Sequence, residues 1–264
     1  MRRLPALLLV LLAVPAGAAR AATVEVQGGA LRYTAAAGEE NHPILHHRAE
    51  DELVVFDSAT VVIAGPGCAQ DGENTAICPR AGVDRADVFL GDRRAAAAVP
   101  DSVTLTADVP VSVNASAEVG SGARATYIEL LPVAVFLDGI ANDGSGVRRD
   151  NIGPGIDAIG AGDGSDTLVG NERANAIYGN HGSDWVNGNG GDDTITLASY
   201  NDVGADAVGL DREGEEDYAL CGDGADVVYA DDSDLVEDDC EIWVRVHDRG
   251  FTYNGTRRAD RIIA

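Results

Sequence analysis

From Ile152 to Thr196 the chain repeats one apolar and polar pattern every nine residues, in five consecutive blocks: IGPGIDAIG, AGDGSDTLV, GNERANAIY, GNHGSDWVN and GNGGDDTIT. Position eight is always bulky and apolar: Ile159, Leu168, Ile177, Val186 and Ile195. Position six is Asp157, Asp166, Asn175, Asp184 and Asp193. Each block divides into a polar six-residue turn and a three-residue strand. The apolar residue points inward from its strand, and the inward rows stack into a core that no single repeat closes alone. Upstream, over 23–150, short runs read as strands: TVEV, ALRYTA, LVVF, TVVIAG, VSVNA and LPVAVFL. Gly, Asn, Asp and Pro punctuate them, and no long amphipathic helix stands out. ADVFLGD at 86–92 reads as a worn repeat, and DGIANDG at 138–144 as a tight turn feeding the array. The expected fold class is all-β: a parallel β-solenoid of nonapeptides with a β-rich, partly degenerate N-terminal region that caps it.

The turns carry the chemistry. Glycines at positions two and four (Gly153, Gly155, Gly162, Gly164, Gly182 and Gly191) allow backbone conformations closed to other residues and let carbonyls converge on a cation. The position-six carboxylate adds a hard anionic oxygen, and calcium takes six to eight such ligands in flexible geometry. Successive turns fall on opposite edges of the solenoid, so an ion between stacked turns draws on position-six residues two repeats apart. Asp166 and Asp184 form the best such pair, and their repeats keep Gly162, Gly164 and Gly182. The other edge runs Asp157, Asn175, Asp193; its middle repeat has Arg173 in place of a glycine and Asn175 in place of the carboxylate. Arg173 competes there as a positive charge, so sites using that turn are expected to be weak or empty. A metal-free solenoid with Asn and Asp as turn formers is the competing reading.

This pattern, G-G-x-G-x-D-x-U-x with U apolar, resembles the RTX (haemolysin-type) family, and the resemblance implies Ca2+ binding in a parallel β-roll. A sixth copy, CGDGADVVY, follows at 221–229 with Gly222, Gly224, Asp226 and Val228. Asp157, Asp193 and Asp226 are assigned to weaker sites. Between the array (151–196) and this copy lies an acidic insert, 197–220, read as a loop thrown out from the roll. The segment 221–264 holds the sixth copy and a C-terminal cap, where NGTRRADRII opens like another repeat.

Residues 1–22 read as a secretory leader: basic Arg2 and Arg3, an apolar stretch, then small residues with cleavage after Ala21 or Ala22. No other segment is apolar and long enough to cross a bilayer as a helix. The expected location is therefore extracellular or at the cell surface. The formal charge is −25, with no lysine in the chain. Such charge opposes compaction and disfavours nucleic acid and anionic membranes as partners. Bound divalent cations relieve it and turn binding free energy into folding free energy. Four cysteines in an exported chain suggest two disulfides. Three pairings exist; proximity favours Cys68 with Cys78 and Cys221 with Cys240.

The sequence offers little for catalysis. There is no H-E-x-x-H and no G-x-S-x-G. HPILHH brings His42, His46 and His47 together, but Pro43 stands between the first two and the segment reads as a solvated loop. The wider layout resembles exported bacterial calcium-binding repeat proteins: GALRYTAAAGEEN, the GPGC…CP loop, DGIANDG, the nonapeptides and the closing CGDGAD…DDCE. The expectation is a secreted calcium-binding protein without a catalytic centre, ordered by Ca2+. The alternative is an adhesion module that binds cell-surface or matrix carbohydrate or protein, with calcium as a structural staple.

Overall fold

Each nonapeptide supplies one strand, and successive strands go alternately to two facing sheets. The computed structural model describes residues 21–35, 40–49, 51–90, 101–106, 109–115, 122–146, 148–197, 216–231, 233–247 and 250–255. Within the array, Ala158–Gly160, Ala176–Tyr178 and Thr194–Thr196 join one sheet, while Thr167–Val169 and Trp185–Asn187 join the other. All pair in parallel and in register, so Ile159, Ile177 and Ile195 form one inward row and Leu168 and Val186 the facing one. These five side chains are buried, as the nine-residue period requires.

The first of these sheets runs through both halves of the protein. Among the described residues it has 12 strands, and Pro43–Ala49, Ser102–Leu105 and Arg124–Tyr127 lead into Ala158–Gly160 in parallel. Opposite the N-terminal part of this shared sheet lies a six-stranded sheet that includes Ala30–Thr34, Arg85–Phe89, Val111–Asn114 and Asn151–Ile152. Opposite the array part of the shared sheet lies a second six-stranded sheet, in which Gly144–Ser145 is the edge and Val133–Phe136 leads into Thr167–Val169. The N-terminal region is thus wound like the array, with longer and less regular rungs. Its inward positions, among them Val88, Val103, Val113 and Ala125, are fully buried.

Both ends of the shared sheet finish in antiparallel hairpins. Glu52–Asp57 and Thr75–Pro79 extend it beyond Pro43–Ala49, and Gly250–Gly255 folds back on Ile242–His247. Such hairpins close off the open edge that a parallel stack presents. The N-terminal one is tied by the Cys68–Cys78 disulfide, and Cys221–Cys240 joins the last turns, so both expected pairs are present.

Two expectations change, and the DGIANDG turn holds. HPILHH is no loop: Pro43–Ala49 is a strand between Glu52–Asp57 and Ser102–Leu105, with Leu45 in the core. DGIANDG turns the chain between Val133–Phe136 and Gly144–Ser145, an antiparallel pair, before the array begins. The insert is shorter than 197–220, because Tyr218–Leu220 is a further rung, parallel to Trp185–Asn187. The core of the leader and the terminal NGTRRADRII fall largely outside the described residues.

Replacing Ile177 by Ala removes a fully buried side chain from the middle of the inward row. Denaturant unfolding in saturating calcium should show a loss of about 2–5 kcal/mol. Trp185→Ala, on the outer face of the neighbouring strand, should change stability by less than about 0.5 kcal/mol.

Candidate metal sites

Two columns of turns flank the sheets, and the glycines set how closely they stack. Gly182 has φ 115°, and a Cβ on it would lie 2.1 Å from the carbonyl oxygen of Gly164, one turn below on the same edge. On the other edge, Gly222 has φ 95°, and its Cβ would lie 1.6 Å from the carbonyl oxygen of Asn189. No side chain fits at either place, so carbonyl-bearing backbone fills both cradles. Position two also admits asparagine. Asn180 and Asn189 take positive φ, and their amide groups donate to the Ala161 and Gly170 carbonyls of the turn below, at 2.7 and 2.8 Å. Asparagine tolerates this conformation better than most residues.

The position-six side chains form a ladder along each edge. On the first, Asp166 accepts from Val133 N–H at 2.7 Å, Asp184 from Asp166 N–H at 2.8 Å, and Asp217 from Asp184 N–H at 2.6 Å. Asp234 then accepts from Asp217 N–H. On the second edge, Asp193 accepts from Asn175 N–H and Asp226 from Asp193 N–H, both at 2.8 Å. Glu241 continues it by accepting from Asp226 N–H at 2.9 Å. Asp166 and Asp184 are therefore stacked neighbours, as their 18-residue spacing implies. Asp193 and Asp226 are stacked neighbours too, although 33 residues separate them. Asp217, Asp234 and Glu241 are ladder members that the nonapeptide period did not mark. The signal that finds them is an acidic residue directly before a short apolar strand, as in EDYAL, SDLV and CEIWV.

One oxygen of each carboxylate is used by the ladder; the other is the candidate ligand. The second oxygens of Asp166, Asp193, Asp217 and Asp226 are buried and have no hydrogen-bond partner among the described residues. A buried carboxylate in that state is costly when ionised. Burial pushes Asp166 up to about 6, against the opposing hydrogen bonds from Val133 and Gly162. Burial likewise pushes Asp193 to about 7 and Asp217 to about 8, with neighbouring carboxylates adding to both. Asp226 and Asp234 are raised to about 6 for the same first reason. Hard oxygens, a glycine-lined cradle and uncompensated buried charge fit a calcium ion between stacked turns. Asp166 with Asp184 on one edge and Asp193 with Asp226 on the other are the pairs that would hold it, together with backbone carbonyls of turns bearing Gly162, Gly164, Gly182, Gly191, Gly222 and Gly224.

The first turn of the array differs. Gly153 and Gly155 lie in it, but Asp157 is engaged on both oxygens: Gly122 N–H donates to one at 2.8 Å and Arg173 to the other at 2.5 Å. Asn175 turns its carbonyl oxygen onto its own Asn171 N–H at 2.8 Å.

Elsewhere, Cys221, Cys240 and Asp239 cluster, but the sulfurs are bonded at 2.03 Å and Asp239 accepts from the Cys221 and Gly222 N–H groups. His42 lies between Ser102 Oγ at 2.7 Å and Glu40 Oε1 at 2.8 Å, an arrangement with the outline of a nucleophile, base and orienting carboxylate. Acyl transfer also needs free N–H groups for an oxyanion. Around Ser102 those of Ser102, Gly122 and Arg124 already donate to Asn41 O, Asp157 Oδ2 and Asp101 O. The cluster therefore reads as an anchor for the Pro43–Ala49 rung.

The family model of the RTX calcium-binding nonapeptide repeat matches residues 160–195 in four copies. No curated protein and no solved structure matches the chain. The array is thus an RTX β-roll, and RTX nonapeptide repeats bind Ca2+. The match stops short of Asp217 and Asp226, which join the same columns through the ladder.

The raised carboxylates give the metal-free protein a definite pH dependence. Unfolded aspartates titrate near 3.9, so between about pH 4 and pH 8 the folded state holds more protons and stability falls as pH rises. In chelating-resin-treated buffer the denaturation midpoint should be higher at pH 5 than at pH 8. With calcium present the trend should reverse, because protons compete for the same oxygens; equal midpoints at both pH values without metal would contradict these burials.

Proposed function

We propose that this protein is a secreted calcium-binding β-roll whose array and C-terminal rungs are ordered by calcium on arrival in calcium-rich surroundings. The observation that carries this is the set of buried position-six carboxylates, each with one oxygen on the ladder and several with the second unpartnered. Calcium bound there offsets the self-repulsion of a chain of formal charge −25. Extracellular calcium modules commonly bind on the order of 10⁻⁴–10⁻³ M, which suits an ion-poor interior and an ion-rich exterior. Export rests on the leader at 1–22. Ala22 is buried and starts the strand Ala22–Gln27, and its N–H donates to Val61 O at 2.9 Å. Cleavage after Ala21 keeps that strand whole, whereas cleavage after Ala22 removes its first residue. The mature chain then begins at Ala22, to be read directly by N-terminal sequencing of the exported protein. We read the molecule as a binding protein without catalytic activity.

Calcium titration of the mature protein, followed by far-UV circular dichroism, tests the function. A cooperative gain of β signal with calcium and none with magnesium is expected. Asp166→Ala should move the midpoint to higher calcium by roughly tenfold, the equivalent of about 1.4 kcal/mol. A protein already fully folded in chelator and silent to calcium would leave the adhesion module, held by disulfides and core packing, as the better reading.

A further inference from the structure

One repeat departs from the pattern in two places at once, and the departures compensate each other. In GNERANAIY, Arg173 stands at position four, where the other repeats carry Gly155, Gly164, Gly182, Gly191 and Gly224. Asn175 stands at position six. The Arg173 guanidinium reaches the turn below on the same edge. Its Nη2 donates to Asp157 Oδ1 at 2.5 Å and its Nη1 to the Pro154 carbonyl at 2.8 Å. These are a position-six carboxylate and a turn carbonyl, the two kinds of oxygen that a calcium ion between these turns takes. The remaining Asp157 oxygen accepts from Gly122.

We propose that Arg173 is a built-in cation that replaces calcium between the first and third turns of the array, so that this end of the column folds without metal. This rests on the calcium reading above. The position is sheltered, with Arg173 and Asp157 side chains 22% and 11% exposed, so solvent screens the pair only partly. A guanidinium carries one charge where calcium carries two, and Asn175 supplies one carboxylate fewer; the local balance is kept. The next turn stacks directly on this one: a Cβ on Gly191 would lie 2.4 Å from the backbone carbon of Arg173. The column therefore starts from a turn pair whose cation is covalently attached, present at any calcium concentration. Repeat arrays are costly to nucleate and cheap to extend, because each unit is stabilised by its neighbours. A metal-independent first step makes calcium binding an extension of existing structure, continuing toward Asp193 and Asp226.

The test counts ions on the full mature chain. Equilibrium dialysis with radioactive calcium should give one additional ion per chain for Arg173→Gly combined with Asn175→Asp than for wild type. An unchanged count, in a variant whose circular dichroism with calcium matches wild type, overturns the proposal. Hydrogen exchange on the unaltered protein provides a readout that does not depend on the variant folding. In calcium-free buffer the Ala176–Tyr178 amides should be protected and those of Val227–Ala230 should not; equally rapid exchange in both strands would overturn the role of Arg173. A wild type that binds no calcium and protects both strands in chelator would instead defeat the calcium reading.

Discussion

A carboxylate at the mouth of a rung that accepts the backbone N–H of the rung before it, as Asp166, Asp184, Asp193, Asp217 and Asp226 do, is the interaction on which this solenoid depends. Parallel strands of three residues make few hydrogen bonds, and the N–H at the end of each turn has no strand partner. A buried N–H left alone costs about as much as a lost hydrogen bond. Aspartate is short enough to turn back from its own turn and reach it. The ladder fixes the vertical register of the turns, and the register fixes which apolar side chains stack inside. The same placement buries a carboxylate at each of these rungs.

The two halves of the protein answer that charge differently. At Asp57, Asp143 and Asp150, in the N-terminal half, both oxygens find a protein donor. Asp57 accepts from the Tyr33 hydroxyl at 2.5 Å and, on its other oxygen, from the N–H of His42. Asp150 accepts from Val111 N–H on one oxygen and from the Tyr127 hydroxyl and Arg148 on the other. Asp143 divides its oxygens between Phe136 and Ile152 N–H groups. These longer rungs have room for a tyrosine or an arginine beside the carboxylate. In the turns that bear Asp166, Asp193, Asp217 and Asp226 no side chain among the described residues meets the second oxygen, in contrast to Arg173 on Asp157. An ion small enough to enter between turns is the remaining solution. The strictness of the repeat and its unpartnered carboxylate oxygens thus go together.

The array was legible in the sequence because its period is short and exact in spacing: position eight gave the core, while position six was read as a metal ligand and its ladder to the backbone N–H was not foreseen. The Asp166 and Asp184 pair followed from counting. Asp193 and Asp226 were both marked, yet their contact was not, because the chain between them interrupts the count. Asp217 was hidden for the same reason, and beside it Glu216, equally acidic, is exposed where Asp217 is buried. The N-terminal rungs were harder still. Parallel pairing between Ile44 and Thr104, or Arg124 and Ser102, leaves no local period, and the histidines of Pro43–Ala49 disguise a strand whose alternate residue, Leu45, is the part that packs.

The interruption between Thr196 and Tyr218 is informative because it leaves both columns intact. Asp184 to Asp217 on one edge and Asp193 to Asp226 on the other are each 33 residues apart, and each pair is still bridged by one N–H to carboxylate bond. The cost of a longer loop rises only with the logarithm of its length, so the roll can accept an insertion between rungs without losing its register. Closing that loop must nevertheless be offset by the contacts it brings together. The Asp166 and Asp184 turns are joined by a single short repeat, and their geometry is reached with little further ordering. Sites that bridge the insertion need the loop closed before their oxygens converge. On the sites proposed above, local connection would set an order of filling along the roll: the turn pair held by Arg173 would need no ion, the Asp166 and Asp184 pair would fill first, and the pairs across the insertion last.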